Sequence, residues 1–552
     1  MAPAIVSLPD TATDAPSKDS LIKCDVVIIG AGLGGIAALY HLQRIGLRCQ
    51  VLEKEADIGG VWQRNRYPGA RIDTGIPSYL LDMPECWKTW NWSCKHPDHE
   101  EIRRYLDHCD DQTSIRDHVL FNTEVIGAQF DTSSQNWITV CADRTVVQSK
   151  YLVSAVGITC SRSRSLDTDL ASFEGDIYHP SEWPMNEVSP EGKDVAVIGT
   201  GCTGVQIVQT WGSKAKSLTL YQRSYNTALP LLPAAVGYKK ESKGLSIEAY
   251  QQLLASRYET LTGVAACSYQ NKDTLDDSPK EREALYRSLY DAGSLDFWLC
   301  GYRDLTTNPT ANRLAHEYWA KRTREKIHNP RKRDLLAPLK PLYPFAAKRP
   351  ALEFGFFEQF NQDSVDVVDI ETNPIARFTV DGIMLADGTY NHHDIVIPAI
   401  GFTNAVVNIT SLGIRSEEGI LLKDIWNQRL RTLFGIMVRE LPNMFIINGP
   451  QAPSEQSNLP TCIDLQVNWI ADLLVNAQRD GVETIRPTEE AIEEWNSKVQ
   501  AFNKCHKPTT SRCNSDGDLI FFNGGIPRYA EALERRSGSW EDFDLPNMFN
   551  PL

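Results

Sequence analysis

Gly30, Gly32 and Gly35 form G-x-G-x-x-G, and Gly199, Gly201 and Gly204 repeat it. Each turn follows a short apolar run and opens a segment of helix-forming residues. In such a turn the first glycine permits the tight bend. The second lets backbone approach a pyrophosphate, and the third lets helix and strand pack closely. The phosphates then meet the positive end of a helix. Glu53 lies at the end of the next apolar run, 23 positions beyond Gly30, where an acid accepts hydrogen bonds from a ribose. The corresponding run after the second turn ends in Gln222–Arg223–Ser224 and has no acid. An arginine there suits a ribose 2′-phosphate, which favours NADPH over NADH. Two such units in one chain imply two dinucleotides. A flavoenzyme reduced by a nicotinamide cofactor is the simplest holder of both.

These turns need strands and helices to hold them. Cys24–Gly30 (CDVVIIG) has the β-branched, apolar character of a buried parallel strand. A helix follows from Leu33 to Gly46, then a strand over Arg48–Glu53. Asp98–Cys109 reads as a helix, and Val119–Asp131, Trp137–Ala142 and Lys150–Val156 as strands. The order repeats over Asp194–Gly199, Cys202–Trp211 and Ser217–Gln222. Residues 239–333 are rich in Glu, Lys, Arg, Tyr and Leu and read as a helical insertion. Strands return at Ser364–Ile370, Pro374–Thr379, Asp394–Ala399 and Asn443–Asn448, followed by helices at Leu459–Val475 and Thr488–Asn503. The fold class is therefore α/β, with two Rossmann-like dinucleotide-binding domains, one inserted in the other. The expected FAD-binding domain is discontinuous, 24–160 plus 390–552. A linker covers 161–189, and the NADP-binding domain spans 190–389 and carries the insertion.

The 552 residues exceed one compact core. A formal charge of −15 argues against nucleic acid or an acidic membrane surface as the main partner. The 13 cysteines are scattered, with no CxxC pair and no metal-type spacing, which fits reduced, buried thiols in a cytoplasmic protein and no metal. Residues 1–23 read as a disordered tail, without a secretory h-region. No run is long and apolar enough to span a membrane. Oligomeric state has no sequence signal.

Between the two units, Phe173, Gly175, His179, Trp183 and Pro184 give F-x-G-x-x-x-H-x-x-x-W-P. On its own this string reads as a linker with a packed aromatic. In context it resembles the fingerprint of the Baeyer–Villiger monooxygenases, class B flavoprotein monooxygenases with two dinucleotide-binding domains. Gly59–Gly60–Val61–Trp62 and Asn65–Arg66–Tyr67–Pro68–Gly69–Ala70–Arg71–Ile72–Asp73 resemble that family's GG-x-W…NRYPGAR-x-D segment. Lys348–Arg349–Pro350 resembles its K-R-P segment. Asn448–Gly449–Pro450–Gln451 with Pro453–Ser454 resembles its GPQ-x-PS turn. The similarity runs from about Cys24 to about Leu474.

The resemblance implies FAD and NADPH as cofactors, O2 and a small-molecule ketone as substrates, and an ester or lactone as product, formed through a flavin peroxide. It implies that Arg349 is the catalytic arginine, holding the peroxide anion and the oxyanion that follows, with Asp73 setting its position. It places Lys348 with Arg223 on the 2′-phosphate, Tyr67 and Thr200 near the nicotinamide cofactor, and Gly60 and Trp62 by the flavin. It makes His179 a linker residue coupling domain movement to turnover. Three departures stand out. CSRSRSLDTDL at 160–170 replaces a Pro-rich stretch, Thr74–Gly75 replaces Glu-Ser, and Ser511–Arg512–Cys513 stands where Ser-Trp-Tyr is common. A bulky secondary-metabolite ketone is compatible with these changes. The alternatives are a related flavin monooxygenase that hydroxylates nitrogen or sulfur, and an NADPH–flavin reductase. Trp183–Pro184, Asp73 and Arg349 favour the ketone reaction over the first. The missing Cys-x4-Cys after the first unit weighs against the second.

Overall fold

The computed structural model describes residues 21–159, 161–232, 246–403, 405–453, 457–503, 520–535 and 539–544. Along the chain run β1 (Leu21–Ile29), α1 (Leu33–Arg44), β2 (Cys49–Leu52), α2 (His99–Thr113), β3 (Val119–Leu120), β4 (Val125–Asp131), β5 (Asn136–Cys141) and β6 (Val146–Ser154). Next come β7 (Asp176–Ile177), β8 (Asp194–Ile198), α3 (Cys202–Trp211) and β9 (Ser217–Gln222). The helices α4 (Ile247–Ser256), α5 (Pro279–Asp291), α6 (Asp296–Leu299) and α7 (Pro309–Arg324) follow. The chain then forms β10 (Val365–Asp369), β11 (Ile395–Pro398), β12 (Ile414–Arg415), β13 (Met444–Ile446), α8 (Leu459–Asp480) and α9 (Glu489–Asn503).

The first sheet has eight strands in the order β12-β4-β5-β6-β1-β2-β3, with β13 also paired to β6. Its centre is parallel, and β4, β5 and β6 form an antiparallel meander. Val26, Val27 and Ile28 of β1 are fully buried, as a strand covered on both faces requires. Gly35, Ala37 and Ala38 are buried on α1, so small side chains let that helix lie close to the sheet, with α8 packed alongside. The second sheet has five strands, β10-β9-β8-β11-β7, all parallel. The helical region packs on it through an aromatic core that includes Tyr286, Phe297, Trp298 and Trp319. Ser278 and Glu281 form a reciprocal capping box that starts α5.

The observed architecture corrects the expected boundaries at four places. β1 begins at Leu21, so Leu21–Lys23 pair with Val146–Gln148 instead of extending a tail; the rest of residues 1–23 lies outside the described residues. The strand expected over Val119–Asp131 is two strands, because Asn122 takes a positive φ of 53° and turns the chain between β3 and β4. β11 pairs with β8, so residues 395–398 belong to the second sheet and not to the 390–552 part of the first domain. β7 pairs with β11, which puts part of the expected linker 161–189 on the same sheet.

The chain crosses between the two sheets twice, after β6 and after β11. The crossings are laced together. Ser163 N–H donates to the Gly401 carbonyl at 3.1 Å, and Thr403 N–H to the Ser161 carbonyl at 2.8 Å. Among the described residues no helix is long and apolar enough to cross a membrane.

Candidate active site

The first glycine turn floors a groove of about 220 Å³. A Cβ on Gly30 would sit 2.8 Å from the Ala155 carbonyl oxygen, and one on Gly35 only 1.8 Å from the Gly30 oxygen. Gly32 and Gly60 face each other, so that a Cβ on Gly60 would lie 2.9 Å from the Gly32 Cα. Backbone alone therefore lines the cradle, and the start of α1 has no side-chain cap to compete for its amides. That is the shape and polarity a pyrophosphate needs. Glu53 also lines the groove. Its carboxylate accepts from Ala31 N–H at 2.6 Å and Glu55 N–H at 2.8 Å, and burial still pushes its pKa above the usual value. Trp62 stands one layer back. Its indole N–H donates to the Tyr79 hydroxyl at 3.2 Å, and Tyr79 lines the groove. These residues fit the adenine-dinucleotide half of FAD.

The second turn repeats the packing. A Cβ on Gly199 would sit 2.4 Å from the Ala399 oxygen, and one on Gly204 2.1 Å from the Gly199 oxygen. A Cβ on Gly201 would meet nothing within 4 Å, which leaves its side of the turn open to a ligand. Thr200 is committed to the turn itself. Its hydroxyl donates to the Ser224 carbonyl, and its own carbonyl accepts from Asn226 Nδ2 at 2.9 Å. Arg223 is exposed at the end of β9 and makes no ion pair among the described residues. Lys348 reaches the same place. Its ammonium donates to Ser224 Oγ at 2.6 Å and lies 4.6 Å from the centre of the Tyr343 ring. Burial and the nearby Arg223 charge lower its pKa, against a weaker pull from Glu371. Two cations meet here with only the weaker pull of Glu371 against them, an arrangement suited to an anion.

Arg349 and Asp73 meet across 276 positions of sequence. Arg349 Nε donates to Asp73 Oδ2 at 2.7 Å and Nη2 to Oδ1 at 3.0 Å, a bidentate fork. Nη2 also donates to Thr74 Oγ1 at 3.1 Å, and the guanidinium lies 5.9 Å from the centre of the Trp298 ring. Burial pushes the Asp73 carboxyl up, but the Arg349 charge and its hydrogen bonds outweigh it and hold the carboxyl below its ordinary value. Asp73 opens onto a cavity of about 360 Å³ walled on one side by Thr74–Ser78 and on the other by the helical insertion. His96 is buried beside it, and burial depresses its pKa to about 3. Tyr67 links this segment to the second unit, its hydroxyl donating to Gln206 Oε1 on α3 at 2.9 Å.

The linker fingerprint has a packing explanation. A Cβ on Gly175 would meet the Asp394 carbonyl at 2.6 Å and the Phe173 ring at 2.6 Å, so glycine alone lets β7 lie against β11. Phe173 is buried in the core of the second sheet. His179 Nδ1 pairs with Ser181 Oγ at 3.0 Å and caps a single turn of 3-10 helix, while its Nε2 is buried without a partner. Burial holds its pKa near 4. Trp183 packs edge-on against Trp211, with ring centres 5.5 Å apart. Arg64, which lines the groove of the first unit, donates to the Ser181 carbonyl at 3.2 Å and so joins the linker to that groove.

Tyr79, His96 and the individual wall residues at 264–267 and 294–300 were not singled out from sequence, and Thr74 only as a departure from the family pattern. Tyr79 had only its position as a signal, six residues from Asp73, and His96 and the wall residues had none. Ser454 and Ser511–Arg512–Cys513 lie outside the described residues.

The sequence profile of the NAD(P)-binding Rossmann-like domain matches residues 28–91. The chain is 37% identical to the FAD-binding monooxygenase acrE of Aspergillus aculeatus, over 95% of this chain and 89% of that protein. It is 32% identical to a cyclopentanone 1,2-monooxygenase from a Comamonas species, over 87% of this chain and 86% of that protein. Its fold superposes on the crystal structure of OTEMO complexed with FAD and NADP with a TM-score of 0.89 at 30% identity, over 95% of this chain and 99% of that one. With both glycine cradles, the paired cations and the Asp73–Arg349 fork already in place, this likeness over nearly the whole length settles the family: the chain belongs to the FAD-binding monooxygenases of Baeyer–Villiger type.

Proposed function

We propose that this chain, with FAD and NADPH bound, inserts one atom of O2 beside the carbonyl of a ketone and releases an ester or lactone. The balance is ketone, O2, NADPH and a proton to ester, water and NADP⁺. The cofactors supply hydride transfer and the activation of O2. The protein supplies position, charge and exclusion of water.

The observation that carries this reading is the Asp73–Arg349 fork beside the cavity that Asp73 lines. Arg349 is a fixed, always-charged donor set, and its Nη atoms are suited to stabilise an oxyanion on the reacting carbonyl carbon. Asp73 keeps the guanidinium oriented and spreads no proton of its own, because its carboxyl stays ionised at neutral pH. Glu53 is suited to the ribose on the flavin side, and Gly30, Gly32, Gly35 and Gly60 to its pyrophosphate. Gly199, Gly201 and Gly204 are suited to the NADPH pyrophosphate, and Arg223 with Lys348 to its 2′-phosphate. Tyr67 is suited to hold the second unit against the first through Gln206, and Thr200 to fix the second turn itself, both near the nicotinamide cofactor. Ile76, Leu253, Val264 and Leu295 on the cavity wall favour a largely apolar ketone. The ten described cysteines are all free, which supports a reduced, cytoplasmic setting.

Arg349→Ala tests the assignment. The variant is expected to bind FAD and oxidise NADPH, yet to form no ester from a ketone panel. Ester formed at close to the wild-type rate would remove Arg349 from the reaction.

A further inference from the structure

Two thiols and a carboxylate line the cavity wall opposite Asp73, on the helical insertion. None of them is used in the reaction proposed above. Cys267 ends the 264–267 turn, Asp296 begins α6, and Cys300 follows that helix by one residue. Two features bring them together. Asp296 and Cys300 are one helical turn apart, with Cys300 N–H donating to the Asp296 carbonyl at 2.8 Å. The 270 and 300–302 segments run side by side: Gln270 N–H donates to the Gly301 carbonyl at 2.8 Å, and its side-chain amide to the Cys300 carbonyl at 3.0 Å.

Cys267 Sγ lies 3.8 Å from Asp296 Oδ1, and one donor atom from each of the three residues falls within 4.8 Å of the other two. Tetrahedral zinc has Zn–S bonds of about 2.3 Å and Zn–O bonds of about 2.0–2.2 Å, which sets donor atoms roughly 3.5–3.8 Å apart. The Cys267–Asp296 pair is therefore at that spacing, and the Cys300 thiol lies within 4.8 Å of both before any ion enters. Asp296 accepts from the Cys267 thiol and makes no ion pair among the described residues. Two sulfurs select a thiophilic ion over magnesium or calcium. The other acid–histidine cluster, Asp194, His392 and Asp394, differs on this point, because Lys216 already neutralises Asp194 at 2.7 Å.

We propose that Cys267, Asp296 and Cys300 form a three-ligand site for one thiophilic divalent cation, with zinc as its natural occupant and the fourth position open to the cavity. The bound ion ties the 264–270 turn to α6, and so fixes the cavity wall that faces Asp73. The site stands independently of the ketone reaction.

The test uses full-length, FAD-loaded protein, kept reduced and freed of metal with a chelator. Titration with cadmium should saturate at one ion per chain, with an ultraviolet thiolate-to-cadmium charge-transfer band that zinc displaces. X-ray absorption of the zinc form should show two sulfur neighbours at about 2.3 Å. Cys300→Ser should weaken zinc binding by about tenfold or more, Asp296→Asn should also weaken it, and His392→Ala should leave it unchanged. A zinc shell without sulfur, no saturable binding by the wild-type protein, or binding untouched in both Cys300→Ser and Asp296→Asn would overturn the site. So would a Cys267–Cys300 disulfide persisting under reductant. The wild-type X-ray absorption result decides the matter if either variant fails to fold.

Discussion

Arg223 and Lys348 reach one spot from the end of β9 and from a segment more than a hundred residues later. Arg223→Ala should raise the KM for NADPH by about tenfold to a hundredfold, the range expected for losing charge-assisted hydrogen bonds of roughly 1.5–3 kcal/mol. The KM for NADH should barely move. Steady-state kinetics with both cofactors decides it, and equal effects would remove the 2′-phosphate role. The arginine was legible because its signal is local: a strand ends and the expected acid is missing. Glu53 was legible for the same reason. The Asp73–Arg349 fork had no such signal, since nothing in a turn acid or a basic triplet foretells that they meet. It was visible only through the resemblance of the segments that carry them. Thr74, which stands where the family has glutamate, accepts a hydrogen bond from Arg349 Nη2 through its hydroxyl oxygen, so the departure keeps the arginine tethered.

The buried strands were read well because a parallel strand covered on both faces is a continuous apolar run, as in CDVVIIG, DVAVI and DIVIP. Their sheet membership was not readable. β11 is separated from β8 by about two hundred residues, and pairing is decided by what packs on the strand and not by its own composition. The fingerprint shows the same limit. Phe173 and Trp183 announce packed aromatics, but the need for Gly175 appears only when β7 is seen against the Asp394 carbonyl. Gly175→Ala should therefore cost about 1–3 kcal/mol through overpacking. Its effect should appear as a lower unfolding midpoint with the NADPH site weakened and the isolated flavin spectrum little changed. A fully stable variant would show that β7 can shift away without loss.

The insertion is joined to the first domain by a buried ion pair. Arg257 Nη2 contacts Asp464 Oδ2 on α8 at 3.1 Å, and both side chains are 1% exposed. Arg257 Nη1 also donates to the Leu80 carbonyl at 2.6 Å, and Asp464 accepts from Asp82 N–H at 3.1 Å. Asp464→Ala leaves a buried guanidinium without its charge partner. A loss of about 3–5 kcal/mol is expected in denaturant unfolding, and a change under 1 kcal/mol would mean that the insertion is held by its aromatic contacts instead.

Two buried histidines should cost the fold stability in acid. Burial depresses His179 and His393 to about 4, against an ordinary value of 6.5. Below pH 6.5 the unfolded chain takes up protons that these folded sites refuse, so stability is present above that value and declines as pH falls toward 4. At about pH 5 each histidine accounts for roughly 2 kcal/mol of the decline. Tm measured between about pH 7 and pH 5 should fall less steeply in His393→Gln than in the wild-type protein. An unchanged slope would remove His393 from the acid response.

The laced pair of crossings has a mechanical consequence. A single tether lets two bodies swivel about it in any sense. Two tethers side by side, stitched at Ser161–Thr403 and Ser163–Gly401, act as a strap: they bend easily across their width and resist torsion. Any opening between the two nucleotide cradles is thereby favoured as a swing about an axis running across the strap, and twisting of one cradle against the other is resisted.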